Sequence, residues 1–116
     1  MSEEFLLKWN DHHNSFFAIM NELCSSDALT DVTLSCGGQL FETHRLLLCV
    51  SSTYFRSILC SNRNLAGGKH PIVFLNGVSP KHLEQLLQYM YHGEINVLQE
   101  DLAPLIESAR ALQVIN

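Results

Sequence analysis

Residues 30–48, TDVTLSCGGQLFETHRLLL, decide the fold. Apolar side chains alternate with threonine and serine over residues 32–36, which is typical of a strand that buries one face. The glycines at 37–38 permit the positive φ of a tight hairpin turn, and residues 40–43 return as the second strand. A short apolar helix is predicted over residues 45–50. The stretch therefore predicts a hairpin that leads directly into a helix.

Beyond this stretch the pattern predicts a second helix, a loop and a third strand. Ser51-Ser52 can cap a helix over residues 53–60, and the polar, glycine-containing residues 61–70 are typical of an exposed loop. Residues 71–75, PIVFL, are almost continuously apolar. This strand is therefore predicted either to be buried on both faces or to run parallel to the hairpin.

The helix that follows has the clearest boundaries in the sequence. Ser79 is a favourable N-cap, Pro80 occupies the first helical position, where its missing N–H has no cost, and Gly93 marks the C-terminal stop. Apolar residues recur between these ends at helical spacing: Leu83, Leu86, Leu87, Met90 and Tyr91. The pattern predicts an amphipathic helix.

A last helix is predicted near the C-terminus. Asp101 is its predicted N-cap, and Pro104 is expected within its first turn. The predicted apolar face comprises Leu102, Leu105, Ile106, Ala109 and Leu112.

Two short apolar segments and a first helix lie outside this framework. Residues 5–9 are predicted to form a strand, which must pair with a distant segment because no hairpin partner lies beside it. Residues 94–97 form another short predicted strand. Asn10 or Asp11 can cap a helix with the apolar residues Phe16, Phe17, Met20, Leu23 and Cys24. The predicted fold class is α/β (α+β), a small sheet capped by helices.

The composition sets limits on the size and the surface of the domain. The 116 residues suit a single domain, 1–116, with its core over 4–115. The hydrophobic fraction is 47% and the charged fraction only 16%, where about 25% charged is usual. A chain with so many apolar residues either buries them in a well-filled monomeric core or covers part of them by self-association. We also expect it to be the N-terminal part of a longer protein.

Charge and cysteine usage narrow the function classes. A net charge of −5 argues against direct binding of nucleic acid by this domain. No apolar run reaches the ~18–20 residues of a membrane span, and the acidic N-terminus does not resemble a signal peptide. The four cysteines lack C-x-x-C spacing, so we expect reduced thiols in a cytosolic or nuclear protein.

No catalytic or metal-binding set is recognised in the sequence. Asp31, His44 and Ser51 can be written as a triad, but nothing around Ser51 resembles a nucleophile elbow. The histidines and cysteines also lack the spacing of zinc ligands. We therefore predict that the chain is not an enzyme and binds no cofactor or metal. Asp31 and Arg45, which begin the first strand and the next helix, form either a partly buried ion pair or separate surface charges or caps.

These motifs resemble the centre of BTB/POZ domains. The runs TDVTL (30–34), FETHRLLL (41–48) and SSTYF (51–55) carry most of the likeness. KHPIV (69–73) and YMYHGEINV (89–97) fit the same family. The opening run FLLKWNDH (5–12) is similar to the N-terminal signature of the Tramtrack-type subgroup, found in insect transcription factors.

The resemblance implies a dimer that exchanges its N-terminal strands. In this family the first strand of one chain pairs with the short strand before the last helix of the other, here residues 5–9 against 94–97. The first helices pack together about the two-fold axis. The implied interface comprises Phe5, Leu6, Leu7, Trp9, Phe16, Phe17, Met20, Leu23, Glu94, Ile95 and Val97. Asp31 and Arg45 match the family's charged pocket beside it, and higher oligomers, often hexamers, characterise the subgroup.

The function that the resemblance implies is self-association within a nuclear transcription regulator. The domain would tether DNA-binding units, pair with related BTB domains and recruit corepressors or chromatin proteins. The alternative is a substrate adaptor of a cullin-RING ubiquitin ligase. Adaptors generally carry a hydrophobic-x-Glu element after the third helix, and residues 56–64 contain no glutamate. A third interpretation, a monomeric interaction module, would leave residues 5–9 without a partner strand.

Overall fold

The computed structural model describes residues 2–60 and 70–115. Its elements in chain order are α1 (His12–Ser25), β1 (Val32–Cys36), β2 (Gln39–Thr43), α2 (Arg45–Ser51), α3 (Thr53–Cys60), β3 (Ile72–Leu75), α4 (Pro80–His92) and α5 (Gln99–Ala111). This mixture of helices and a small sheet agrees with the predicted fold class. The loop predicted at 61–70 lies outside the described residues, apart from its last residue.

β1 is the central strand of a sheet with the order β2-β1-β3. It pairs antiparallel with β2, and Gly37 and Gly38 make the turn with φ of 56° and 82°, as predicted for a hairpin. β3 runs parallel to β1, with Ile72 opposite Thr33. The parallel alternative predicted for residues 71–75 is therefore confirmed.

β3 is nevertheless buried on one face only. Val73 packs against the core and Leu75 is buried within it, whereas Phe74 is 74% exposed and Ile72 is also exposed. Because β3 is an edge strand and the helices cover only one side of the sheet, its outward side chains meet solvent. The alternative of burial on both faces is wrong.

The core lies between the inner face of the sheet and the helices α2 to α5. Val32, Leu34 and Cys36 alternate inward along β1 and are essentially inaccessible to solvent, as are Phe55 of α3 and Leu83 of α4. Burying each large apolar side chain contributes about 1.5–3 kcal/mol. α1 contributes no buried residue to this core.

Local capping signals determine both ends of α4. The Ser79 hydroxyl accepts a hydrogen bond from the His82 N–H at 3.2 Å, and Pro80 begins the helix. Gly93 adopts a positive φ of 85°, and its N–H donates to the Tyr89 carbonyl at 2.7 Å. The predicted boundaries are confirmed because each depends only on neighbouring residues.

α5 begins earlier than the sequence predicts. Leu98 is its N-cap and Gln99 its first residue, so Asp101 is not the cap and Pro104 lies beyond the first turn. Asp101 is instead buried, and its carboxylate accepts a hydrogen bond from the Lys81 ammonium of α4 at 3.0 Å. Asp101 thus lies in the first turn of α5, where the N-terminus of a helix favours a negative charge.

Only part of the predicted apolar face of α5 meets the core. Leu105 and Leu112 are buried and Ala109 is half-buried, whereas Leu102 and Ile106 are exposed. Residues 105 and 112 lie two helical turns apart and form a narrow stripe. The core is wide enough to cover that stripe but not the residues beside it.

The two short strands predicted outside the sheet do not form within a single chain. Residues 2–9 and 94–97 belong to neither a helix nor a strand. A strand exists only when another segment supplies hydrogen-bond partners, and the predicted partner of each segment belongs to a second chain. The exchange of strands therefore stays a prediction.

Candidate self-association surface

The helix α1 carries large apolar side chains that its own chain leaves exposed. Phe17 is 65% exposed, and Phe16, Ile19 and Leu23 are exposed as well. An amphipathic helix normally buries its apolar stripe against a core, yet none of the fourteen residues of α1 is buried. A helix in this state lacks the packing that usually stabilises it in water.

The N-terminal arm, residues 2–9, extends the exposed apolar surface. Leu7 is 92% exposed, and Phe5, Leu6 and Trp9 are also exposed. The chain's radius of gyration is 17.2 Å, where about 13 Å is expected for a compact domain of this size. The arm therefore presents a run of apolar side chains that the described part of the chain leaves uncovered.

The arm joins α1 through a short aromatic cluster. The rings of Trp9 and His12 meet edge to face at 4.6 Å, and His12 approaches Phe16 at 5.8 Å. Asp11 occupies the N-cap position with a positive φ of 64°. Its carboxylate accepts a hydrogen bond from the Asn14 side chain at 2.6 Å rather than from the backbone of the helix. The predicted cap position is thus correct, but the side chain does not cap.

An apolar groove separates α1 from the start of α2. It has a volume of about 260 Å³. Its largest apolar side chains are Phe16, Met20, Leu23, Leu29, Leu46 and Leu47, and its walls also include the polar residues Asp31 and His44. We call it the α1–α2 groove. Three residues that the resemblance assigns to an interface, Phe16, Met20 and Leu23, therefore lie side by side in the structure.

The segment 94–97 presents its side chains differently from the arm. Ile95 and Val97 are half-buried and pack against the core of their own chain, while Glu94 is exposed. The two apolar side chains thus anchor the segment to the body of the domain. An incoming strand would meet the backbone of this segment rather than these side chains.

Asp31 and Arg45 form an ion pair beside the groove. The carboxylate accepts hydrogen bonds from the Arg45 guanidinium at 3.0 Å and from its backbone N–H at 2.7 Å. The Asp31 side chain is 42% exposed and the Arg45 side chain 26% exposed, so the pair is only partly buried. Burial alone would raise the pKa of Asp31, but the hydrogen bonds and the charge of Arg45 outweigh this effect and lower the pKa below 3.8.

We expect Asp31→Ala to lower the free energy of unfolding by about 1–2 kcal/mol at neutral pH. The first backbone N–H of α2 loses its acceptor, and the Arg45 guanidinium loses this carboxylate. Because the pKa of Asp31 is lowered on folding, its contribution is complete above pH 3.8 and is lost as the pH falls below that value. Urea unfolding should show the difference between the two proteins shrinking as the pH falls below 3.8.

The matched control for Asp31→Ala is Glu107→Ala, which removes an exposed carboxylate from α5. We expect this change to alter stability by less than about 0.5 kcal/mol. A destabilisation by Asp31→Ala that stays constant from neutral to acid pH would contradict the role assigned to the Asp31 charge.

His44 connects three parts of the chain beneath the groove. Its Nδ1 shares a hydrogen bond with the Tyr91 hydroxyl at 2.7 Å, and its Nε2 shares one with the Ala28 carbonyl at 2.6 Å. Burial is the largest of the effects that raise the pKa of Tyr91 to about 12, so this phenol stays neutral. Sequence reasoning named His44 in a possible triad and in the run FETHRLLL, but assigned it no structural role. The structure shows instead that it holds the connection after α1 against α2 and α4.

Sequence reasoning also missed the exposed side of α2. Leu46 and Val50 are both exposed, whereas Leu48 and Cys49 between them are buried. Residues four apart lie on the same side of a helix, so this spacing could have indicated a second apolar face. Leu46 lines the α1–α2 groove, and the candidate surface therefore continues onto α2.

None of the helices in the described part of the chain has the length and hydropathy of a membrane span. Nor do residues 2–60 and 70–115 bring together three or more side chains of histidine, cysteine, aspartate or glutamate in a way that could hold a metal ion.

Comparison with known proteins gives a family model and several relatives. The model described as the BTB/POZ domain matches residues 20–116. In Drosophila melanogaster, Longitudinals lacking protein-like is 39% identical over 112 residues, which cover 97% of this chain and 85% of that protein. Sex determination protein fruitless is 36% identical over 114 residues, which cover 98% of this chain and 12% of that protein. Protein bric-a-brac 2 is 35% identical over 112 residues, which cover 97% of this chain and 10% of that protein.

The matched region makes up very different shares of these relatives. It accounts for most of the first protein but only about a tenth of the other two. A domain similar to this chain is therefore found both in a protein little longer than itself and in proteins many times its length.

Proposed function

This chain belongs to the BTB/POZ domain family, whose members mediate protein–protein interaction, and from that premise we propose that it holds together copies of a nuclear transcription regulator. The proposed unit is a two-fold dimer of the Tramtrack type, which assembles further into a higher oligomer. The domain would act by binding and not by catalysis.

The observation that carries this proposal is the solvent exposure of α1. A helix of fourteen residues with two exposed phenylalanines and no buried residue is poorly stabilised by its own chain. Packing α1 against its symmetry mate would remove the apolar faces of both helices from water. The α1–α2 groove beside it would accept side chains from the partner.

The arm fits the same assembly. We propose that residues 5–9 of one chain form a strand with residues 94–97 of the other, so that the two-fold axis repeats the contact. Within residues 2–60 and 70–115, neither segment is paired as a strand. The half-buried Ile95 and Val97 hold the receiving segment in place and leave its backbone as the contact.

The partners that we propose are other copies of the chain and related BTB domains. Corepressors or chromatin proteins are proposed as further partners. In a long regulator, self-association raises the effective concentration of DNA-binding units on clustered sites. In a short protein, the same surface would pair with the domains of longer relatives. The net charge of −5 disfavours direct contact with DNA by this domain.

Native mass tests this proposal directly. We expect residues 1–116 to form an even-numbered oligomer larger than a dimer at micromolar concentration, measured by size exclusion coupled to light scattering. A version lacking residues 1–10 should form a smaller oligomer or become insoluble, because the arm no longer reaches the neighbouring chain. Glu3→Ser combined with Glu4→Ser changes the same arm without removing an apolar side chain, and should keep the full mass.

The possible results separate the parts of the proposal. If the full chain is a soluble monomer, it does not self-associate, and the proposed function is wrong as well. A plain dimer would support the two-fold interface and contradict the higher assembly. An unchanged oligomer without residues 1–10 would show that the arm does not join the chains.

A further inference from the structure

Two cysteines, one of them in the core, meet where α2 packs beside the C-terminal end of α3. Cys49 of α2 is buried, and Cys60 at the end of α3 is exposed. Their sulfur atoms lie 2.8 Å apart. A disulfide bond is about 2.05 Å long, so the sulfurs need to approach by less than ~1 Å to become bonded.

The junction that carries these cysteines is held by several hydrogen bonds. The buried Ser52 hydroxyl donates to the Leu112 carbonyl at 2.6 Å and accepts from the Phe55 N–H at 3.1 Å. The Arg56 guanidinium donates to the Cys49 carbonyl at 2.8 Å and so links α3 to α2. These hydrogen bonds hold the two helices together and keep the two sulfurs close to each other.

The other two cysteines have different surroundings. The Cys36 thiol is buried and donates a hydrogen bond to the Val78 carbonyl at 2.9 Å. Cys24 is half-buried on α1, beside the groove. All four cysteines are free thiols. Among the described residues, Cys49 and Cys60 are the pair whose sulfur atoms are in contact.

We propose that Cys49 and Cys60 are a site of reversible oxidation, at which a hydroperoxide converts the two thiols into an intrachain disulfide. Cys60 reacts first because it is the exposed thiol. Cys49 remains protonated at neutral pH, since burial and the neighbouring Cys60 raise its pKa to about 12. Cys49 therefore acts second, as the thiol that closes the disulfide.

The chemistry takes place in two balanced steps. The Cys60 thiolate attacks one oxygen of hydrogen peroxide, an S–O bond forms, the O–O bond breaks, and the departing hydroxide takes up a proton to give water. The Cys49 sulfur then loses its proton and attacks the Cys60 sulfur, forming the S–S bond while the S–O bond breaks and a second water leaves. Two thiols are oxidised by two electrons in total, and one peroxide is reduced to two waters. A thiol reductant reverses the reaction by exchange.

Peptide mapping gives a direct test on the full chain. The protein is treated with one equivalent of hydrogen peroxide, its remaining thiols are alkylated, and it is digested with trypsin. Cleavage after Arg45, Arg56 and Arg63 places Cys49 and Cys60 on separate peptides. We expect these two peptides to be joined, with a mass lower than their sum by two hydrogen atoms. A reductant added before digestion should separate them.

Two variants keep the result interpretable. Cys24→Ser leaves the pair intact and should give the same joined peptides. Cys49→Ala removes the second thiol, so that Cys60 should accumulate as a sulfenic acid, trapped by a dimedone-type reagent, instead of forming the intrachain bond. Circular dichroism on Cys49→Ala checks that the helices are retained.

Three outcomes would overturn the proposal. The first is that Cys60 becomes a sulfinic or sulfonic acid in the original protein without any joined peptide. The second is that oxidation joins separate chains through Cys60, seen as a reducible dimer on a denaturing gel. The third is that Cys24 or Cys36 is oxidised as fast as Cys60. None of these results bears on whether α1 and the arm form the oligomer, because native mass of the reduced protein decides that question.

Discussion

Phe17→Asp is expected to break the proposed oligomer while leaving the single chain folded. Phe17 is 65% exposed on α1, so its own chain loses little packing when the ring is removed. At a two-fold interface the substitution appears twice and places two carboxylates in an apolar contact. We expect association to weaken by about 3–5 kcal/mol, or more than about a hundredfold in the dissociation constant.

The measurement is a dilution series by light scattering or sedimentation equilibrium, with circular dichroism as a check on folding. The matched control is Phe74→Asp, which introduces the same charge in place of an even more exposed phenylalanine on the outer face of the sheet. This control should keep the native mass. If Phe74→Asp dissociates the oligomer and Phe17→Asp does not, the outer face of the sheet is the interface and the assignment to α1 is wrong.

The contrast between α1 and α4 explains what the sequence can reveal about such a surface. Both helices show apolar residues at helical spacing, yet Leu83 and Leu87 of α4 are buried whereas Phe17 and Leu23 of α1 are exposed. Periodicity reports that a helix has an apolar face, but it does not report whether the same chain or another covers that face. The residues of the candidate surface could be predicted only with the added help of the family resemblance.

Predictions that depended on neighbouring residues were the most successful. The hairpin turn and both ends of α4 follow from the conformational preferences of glycine, serine and proline. The predicted start of α5 was wrong, because Asp101 lies in the first turn of the helix rather than at its cap, and the hydrogen bond that its carboxylate accepts from the Lys81 ammonium was not predicted. A contact between residues twenty positions apart leaves no local pattern in the sequence. The same reason explains why the hydrogen bonds of His44 were not predicted.

Gly37→Ala is the second change with a large expected effect. Gly37 adopts a φ of 56°, where a side chain is strained by about 1–2 kcal/mol. An added Cβ would also lie 2.6 Å from Cγ and 2.9 Å from Cδ of Pro80, a rigid ring at the first position of α4. Relieving that overlap requires the hairpin turn and α4 to separate, which costs a further ~1–3 kcal/mol. We expect a loss of about 2–5 kcal/mol in the free energy of unfolding, measured with urea.

Gly38→Ala separates the two causes. Gly38 also has a positive φ, of 82°, but a Cβ there would meet no atom within 4 Å. Only the backbone strain should remain, so we expect a loss of about 1–2 kcal/mol. Pro80→Ala supplies the complementary test, since removal of Cγ and Cδ should recover part of the loss in the Gly37→Ala protein. If Gly37→Ala and Gly38→Ala are equally destabilising, backbone strain alone accounts for both losses. The contact with Pro80 would then not fix the hairpin against α4.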